Sequence, residues 1–277
     1  MATDSVYADL HTHSHCSDGH LSPPALVQRA ATQGLQVLAL TDHDTVQGLA
    51  AAADAARTHG IQLVPGVELS LTENGDEIHV LAYGFDAGNA ALQAHLQAFR
   101  EARRERAWAM VDRLRAHGCS LREAVVADAF EGTQSLGRPH VAQALVAAGH
   151  VDTLREAFEQ YLGTGQPGFV EKPAAPASEA LKMVHEAGGV GVLAHPGHWT
   201  SSRRIRRLVD QGLDGLESAH PSHDASLRGY YERLADGYGL FVTGGSDYHG
   251  GPHRSDDPIG EIGLTQNEWE RCRPHLA

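Results

Sequence analysis

Residues 6–19 read V-Y-A-D-L-H-T-H-S-H-C-S-D-G. Val6, Ala8 and Leu10 alternate as the apolar side of a short strand, and His11 and His13, two apart, share a face. Paired imidazoles make a poor core and a good claw for a divalent ion. A polar N-terminal loop explains H-x-H alone equally well. The recurrence of the same pattern further along decides between the two.

Apolar runs with strand character occupy 6–11, 36–40, 61–65, 78–83, 190–194, 213–217 and 240–243. Ala-rich helical stretches over 23–33 and 45–59 separate the early ones, a spacing that predicts a parallel α/β arrangement. V-L-A-L (37–40) and V-G-V-L (190–193) are apolar throughout, as strands covered on both faces must be. Between about 88 and 188 only helices are expected, over roughly 90–117, 121–129, 138–149, 152–162 and 178–187. Residues 163–176 form a Gly/Pro-rich connector. The expected organisation is a barrel-like α/β domain built from 1–99 and 172–277, with a helical insertion over 100–171 that caps the substrate.

With 277 residues, 42% of them hydrophobic, the chain can bury one large core. It has no apolar run of membrane-spanning length and no basic-then-apolar leader, so neither a membrane span nor secretion is expected. Cys16, Cys119 and Cys272 are far apart and lack a C-x-x-C pairing. That argues against a disulfide framework or zinc knuckle and suits the cytoplasm. A net charge of −13 disfavours a stable nucleic-acid complex. Any contact with nucleic acid should then be local and made by a few placed cations. The 19 histidines stand out against lysine at only Lys172 and Lys182.

Each strand delivers a metal-competent side chain at or near its end. L-T-D-H-D gives Asp42, His43 and Asp44; G-V-E gives Glu68; A-H-P-G gives His195; G-S-D-Y-H gives Asp247 and His249. His79 lies within D-E-I-H-V-L-A-Y, and L-E-S-A-H-P-S-H adds His220 and His223. Active sites of α/β barrels are built at the C-terminal ends of the strands. Imidazole and carboxylate without thiolate suit manganese, zinc or iron(II) rather than calcium or magnesium. The donors exceed what one ion can use, which points to a multinuclear site for hydrolysis.

Taken in order, H-x-H with S-D-G, L-T-D-H-D, G-V-E, I-H-V-L-A-Y-G, A-H-P-G and G-S-D-Y-H resemble the PHP (polymerase and histidinol phosphatase) family. The resemblance implies a distorted (β/α)7 barrel and three divalent ions, with manganese first and zinc or iron as alternatives. It implies one ion on His11, His13, Glu68 and Asp247, a second on Glu68, His79 and His195, and a third on Asp18, His43 and His249, with Asp18 and His43 also facing substrate. His15 is a spare donor outside this set.

The insertion resembles the branch that hydrolyses 3′,5′-nucleoside bisphosphates and, in relatives, trims short RNA from the 5′ end. The matching pieces are F-R-E-A-R-R-E-R-A (99–107), G-R-P-H (137–140) and Y-L-G-T-G-Q-P-G-F-V (161–170). Arginine forks match phosphate oxygens, so Arg100, Arg103, Arg106 and Arg138 are assigned to a phosphate that is not cleaved, and Arg104 to a solvated face. The expected reaction is in-line attack on the 3′-phosphate by water activated among the ions, as in conversion of 3′-phospho-AMP to AMP. His223, with His220 second, would be the general acid.

Alternatives within the family are histidinol-phosphate hydrolysis and a non-catalytic, metal-braced scaffold. Amide hydrolysis on a related barrel would want a lysine at a strand end, which is missing. Asp42-His43-Asp44-Thr45-Val46 also fits the D-x-D-x-[TV] nucleophile motif of haloacid-dehalogenase-type phosphatases, but no apolar strand precedes Asp256-Asp257.

Overall fold

The computed structural model describes residues 5–171, 175–250 and 259–276. Asp256 and Asp257 lie outside them. In chain order the first half of the barrel is β1 (Ala8–Asp9), α1 (Pro23–Thr32), β2 (Val37–Leu40), α2 (Leu49–His59), β3 (Gln62–Glu73) and β4 (Asp76–Tyr83). The insertion carries α3 (Ala90–Ala116), α4 (Glu123–Phe130), α5 (Arg138–Ala147) and α6 (Leu154–Ala157), followed by a π-helical turn, Phe158–Leu162. The second half is α7 (Ala177–Glu186), β5 (Val190–Leu193), α8 (Ser202–Asp210), β6 (Gly215–Ala219), α9 (Ala225–Tyr238), β7 (Phe241–Gly244) and α10 (Gln266–Cys272). Among the described residues no helix is long and apolar enough to cross a membrane.

Local chemistry starts and stops these elements. Ser22 caps α1, accepting from Ala25 N–H ahead of Pro23 and Pro24, where missing donors cost nothing. Gly60 and Gly239, at φ 69° and 70°, end α2 and α9 in the left-handed conformation that glycine adopts without strain.

The strands lie side by side in sequence order, β1 to β7. Leu10 N–H donates to Gly244 O at 3.1 Å, so the last strand comes round to the first and the sheet is nearly a closed barrel. The strands are not all parallel, which corrects the expectation. β4 runs antiparallel to both β3 and β5. β3 is 12 residues long because it continues past the barrel into a hairpin with β4. Asn74 and Gly75, at φ 53° and 86°, turn it with the Asn-Gly pair that two-residue hairpins prefer.

Two cores meet along α3. Leu92, Leu96 and Phe99 pack with β3, β4, α7 and α8 residues of the barrel. From Ala107 onward Met110, Val111 and Leu114 pack instead with Val126, Val141, Leu145 and Leu162 of the insertion. One long helix therefore roots the insertion in the barrel and carries the arginines between the two cores.

Candidate metal centre

His11 and His13 follow β1, His43 follows β2, His195 follows β5, and Asp247 and His249 follow β7. Glu68 and His79 come from within strands. β3 overshoots the barrel, and β4 runs the other way, so its mid-strand residue meets the mouth that the parallel strands reach with their ends. All nine expected ligands converge there.

Buried Glu68 is the hub. Its Oε2 lies 3.3 Å from His11 Nε2, 3.2 Å from His13 Nε2 and 3.0 Å from His43 Nδ1. Its Oε1 lies 2.8 Å from His79 Nδ1 and 3.0 Å from His195 Nε2. Asp247 Oδ1 is 3.1 Å from His13 Nε2, and Asp18 Oδ1 is 3.2 Å from His249 Nε2. Three groups have donor atoms within 4.8 Å of one another: His11–His13–Glu68–Asp247, His43–Glu68–His79, and His13–Asp18–His43–His249. His43 thus faces two groups, and so does His13, which departs from the partition the resemblance implied. His15 is exposed.

The residues fit divalent ions. His11 Nε2, both nitrogens of His13, Asp18 Oδ1, His43 Nδ1 and Glu68 Oε2 are buried without a hydrogen-bond partner. Such atoms are costly in a folded protein unless something else satisfies them. Burial opposes ionisation of Glu68, but His43, His79 and His11 hold its carboxyl well below the usual range. Asp18 behaves alike, with His249 and His43 outweighing burial, and so does Asp247 beside His11 and His249. Burial pushes the His43 ring well below its ordinary value, against the pull of Glu68 and Asp18. His195 and Asp247 have φ of 28° and 49°, backbone strain concentrated at the cluster.

A supporting layer orients the donors. Glu217, fully buried in β6, meets His11 Nδ1 through Oε1 at 3.0 Å and accepts from His195 N–H through Oε2 at 2.7 Å. Asp42 accepts from Ser14 N–H and Oγ and from Ser17 Oγ, pinning the loop that ends at Asp18. A carboxylate so engaged is a brace for that loop, not a presented nucleophile. Sequence reasoning passed over Glu217, although an acid inside the apolar run at 213–217 is itself a signal, since buried carboxylates need partners.

The arginines divide. Arg103 is buried, donating to Asp44 Oδ2 at 2.6 Å, to Ser70 Oγ at 2.6 Å and to Leu136 O at 3.3 Å. It braces α3 against β3 and has little left to offer a ligand. Arg100 reaches Asp44 O at 3.4 Å, and Arg104 is exposed. Arg106 donates to Val170 O at 2.9 Å, and its pKa is brought down to about 10 by burial and then by the charge of Arg138. Arg138 lies over the Phe158 ring, 5.8 Å from its centroid.

Of the two proposed acids, His223 is tied at both nitrogens: Nδ1 meets Ser218 O at 2.9 Å, and Nε2 accepts from Gly197 N–H at 3.1 Å. Burial lowers its pKa, so it is neutral there. His220 Nδ1 accepts from Ser222 N–H at 3.1 Å, while Nε2 is buried without a hydrogen-bond partner, 3.5 Å from Asp247 Oδ2. His220 thus faces the cluster, and His223 braces a turn.

Two cavities flank the cluster. One, of about 420 Å³, is lined by His79, His195, Arg138, Trp199 and Arg204. The other, of about 390 Å³, lies past Asp18 and His249 against Asp128, Glu131 and Gln143.

The PHP domain family model matches residues 9–171. The 3′,5′-nucleoside bisphosphate phosphatase of Chromobacterium violaceum is 37% identical over 96% of this chain and 94% of its own length. The 5′-3′ exoribonuclease of Haemophilus influenzae is 37% identical over 94% of this chain and 93% of its own. The solved structure of a protein from Bifidobacterium adolescentis, described as a metal-dependent phosphoesterase, superposes with a TM-score of 0.89 at 31% identity, covering 98% of this chain and 97% of that one.

Proposed function

The chain belongs to the PHP domain family and is a metal-dependent phosphoric ester hydrolase; on that premise we propose that it removes the 3′-phosphate of 3′,5′-nucleoside bisphosphates at a three-ion centre. His11, His13, Glu68 and Asp247 would hold one ion, Glu68, His79 and His195 the second, and Asp18, His43 and His249 the third, with manganese the first choice. The ions supply Lewis acidity toward the phosphoryl oxygens and a water acidic enough to attack at neutral pH. Asp18 and His43 would also meet the phosphoryl group.

The observation that carries the substrate assignment is the position of Arg138, in the wall of the cavity that holds His79 and His195. Its charge adds to burial in lowering the Arg106 pKa to about 10, and an anion bound by both guanidinium groups would offset that repulsion. A substrate with two phosphates would place one on the arginines and the other at the cluster, turning binding energy remote from phosphorus into positioning. Arg100 lies six residues, nearly two turns, before Arg106 on α3, and Arg103 holds that helix in place.

The leaving 3′-oxygen needs a proton. Nε2 of His220 faces the cluster, 3.5 Å from Asp247 Oδ2, and an imidazolium there would hand its Nε2 proton to the leaving oxygen while its Nδ1–H donates to Ser222 Oγ at 2.8 Å. His220 is therefore the general acid in this reading.

A second reading, cleavage of short 5′-phosphorylated RNA, draws on the cavity past Asp18 and His249, which leaves room beyond the cluster for a departing nucleoside. The test is phosphate release with manganese from 3′-phospho-AMP, 3′-AMP and histidinol phosphate, alongside mononucleotide release from a 5′-phosphorylated short RNA. Fast turnover of the first and slow turnover of 3′-AMP is the expected result. Equal turnover of those two would sink the arginine assignment.

A further inference from the structure

Trp199 is 74% exposed, the most exposed large hydrophobic side chain among the described residues, and it lines the cavity that holds His79, His195 and Arg138. An indole left in water is explained when something flat covers it in the working complex. We infer that Trp199 is the stacking platform for the nucleobase of the substrate, and that this chain thereby selects base-bearing phosphoesters. The inference rests on the nucleotide reading above and adds to it the residue that recognises the base.

The turn that carries the indole is pinned on several sides. Gly197 has φ +59°, and a Cβ built there would meet Trp199 Cζ2, Cε2 and Cη2 at 2.6, 2.7 and 2.9 Å. The benzo ring therefore lies against the Gly197 backbone, a contact only glycine permits. Gly197 N–H donates to His223 Nε2 at 3.1 Å, and Gly197 O accepts from Tyr231 Oη at 2.5 Å. Tyr231 is buried at 1% exposure and anchors the turn to α9. The same turn begins at His195, whose backbone N–H is held by Glu217. An aromatic fixed in advance loses little entropy when a ligand stacks on it.

The placement suits the substrate. With one phosphate on Arg138 and the other near His79 and His195, ribose and base must point toward the mouth of the cavity. There Glu77 and Thr200 offer no flat face and the Arg204 guanidinium is tied to Asp76 and Glu73, whereas Trp199 offers an open aromatic face. Stacking tolerates any base, so the platform selects nucleotides without selecting among them. His223 and Tyr231 act through Gly197 as positioning residues.

The test compares manganese-loaded wild type with Trp199→Ala and Trp199→Phe. For 3′-phospho-AMP the alanine variant should raise KM about tenfold with little change in kcat, while phenylalanine restores most of the loss. For ribose 3,5-bisphosphate, which lacks a base, the wild type and the alanine variant should have the same KM. A second readout needs no turnover: AMP should quench tryptophan emission, ribose 5-phosphate should not, and Trp199→Phe should abolish the quench. The other tryptophans suit that measurement, since Trp269 is 2% exposed and Trp108 packs against Phe130. An unchanged KM for 3′-phospho-AMP in the alanine variant, or an AMP quench that survives in the phenylalanine variant, overturns the platform. Absence of any bisphosphate hydrolysis by wild type would instead overturn the functional reading, with the AMP quench still reporting on Trp199.

Discussion

Glu217 Oε1 lies 3.0 Å from His11 Nδ1, both side chains fully buried, and that bond decides which nitrogen of His11 faces Glu68 and Asp247. The second oxygen of Glu217 holds the backbone of His195. One carboxylate outside the donor set therefore aims two members of it. Partners of this kind tune metal affinity by about ten- to a hundredfold. Glu217→Gln should keep the fold and weaken manganese binding by that factor, because the amide can satisfy only one of the two donors facing it. A manganese titration followed by calorimetry checks this, and wild-type affinity in the variant would remove Glu217 from the assembly.

Most of the donors end or interrupt an apolar run, a pattern legible without knowing strand direction, whereas Asp18 sits in a polar loop and is reached only through the resemblance. Direction was harder to read. The polar stretch Thr72–Glu77 carries no apolar alternation, so the overshoot of β3 into its hairpin was hidden even though Asn74-Gly75 marked the turn. The three-residue spacing of Arg100, Arg103 and Arg106 was visible, but spacing cannot say which of them the helix turns into the core. Asp44 decides it, and Asp44 lies 59 positions from Arg103.

That division predicts different outcomes for substitutions three residues apart. Arg103→Ala leaves Asp44 buried at 1% exposure without its cation, a loss of about 3–5 kcal/mol for a broken buried pair. Arg106→Ala and Arg138→Ala should leave the melting temperature within a few degrees of wild type and instead reduce the preference for 3′-phospho-AMP over 3′-AMP. Thermal melts alongside kcat/KM for both substrates separate the two roles. A stable Arg103→Ala protein would contradict the bracing account.

Chelation should abolish turnover and also lower the melting temperature. Removing the ions leaves the buried carboxylates of Glu68, Asp18 and Asp247 balanced only by neighbouring imidazoles. A ligand present at a hundred times its Kd stabilises the state that binds it by about 2.7 kcal/mol, so the shift should grow with manganese concentration. Melts across a manganese series after EDTA treatment would show it, and a melting temperature independent of manganese would count against a metal-braced mouth.

Acid sensitivity has a contribution away from the site. Glu73, 3% exposed, takes a two-point contact from Arg207 at 2.6 and 2.9 Å, with Arg204 beside it. The Arg207 hydrogen bond holds the Glu73 carboxyl below its ordinary value of 4.5. A depressed carboxylate stabilises the fold above its unfolded pKa and ceases to as pH falls through the folded one. Glu73→Gln should therefore be less stable than wild type at pH 7, and the gap should close below about pH 4.5. Denaturant midpoints at pH 7, 5 and 3.5 test the sign; a gap that widens on acidification would refute it.

His220 and His223 are three residues apart, and their contacts assign them opposite duties. His220 keeps a buried nitrogen facing Asp247 at 3.5 Å, whereas both nitrogens of His223 are used, one on Ser218 and one on Gly197. General acid catalysis contributes about 10²–10⁴ in rate. His220→Asn should lower kcat for 3′-phospho-AMP by about a hundredfold or more while KM stays close to wild type. The loss should shrink for an ester whose leaving group is acidic enough to depart unprotonated, such as a nitrophenyl phosphate. His223→Asn frees the Gly197 turn, so it should raise KM for base-bearing substrates and spare the nitrophenyl ester. Steady-state kinetics on both substrates decide the matter: if the leaving-group dependence follows His223 instead, the proton comes from the other ring.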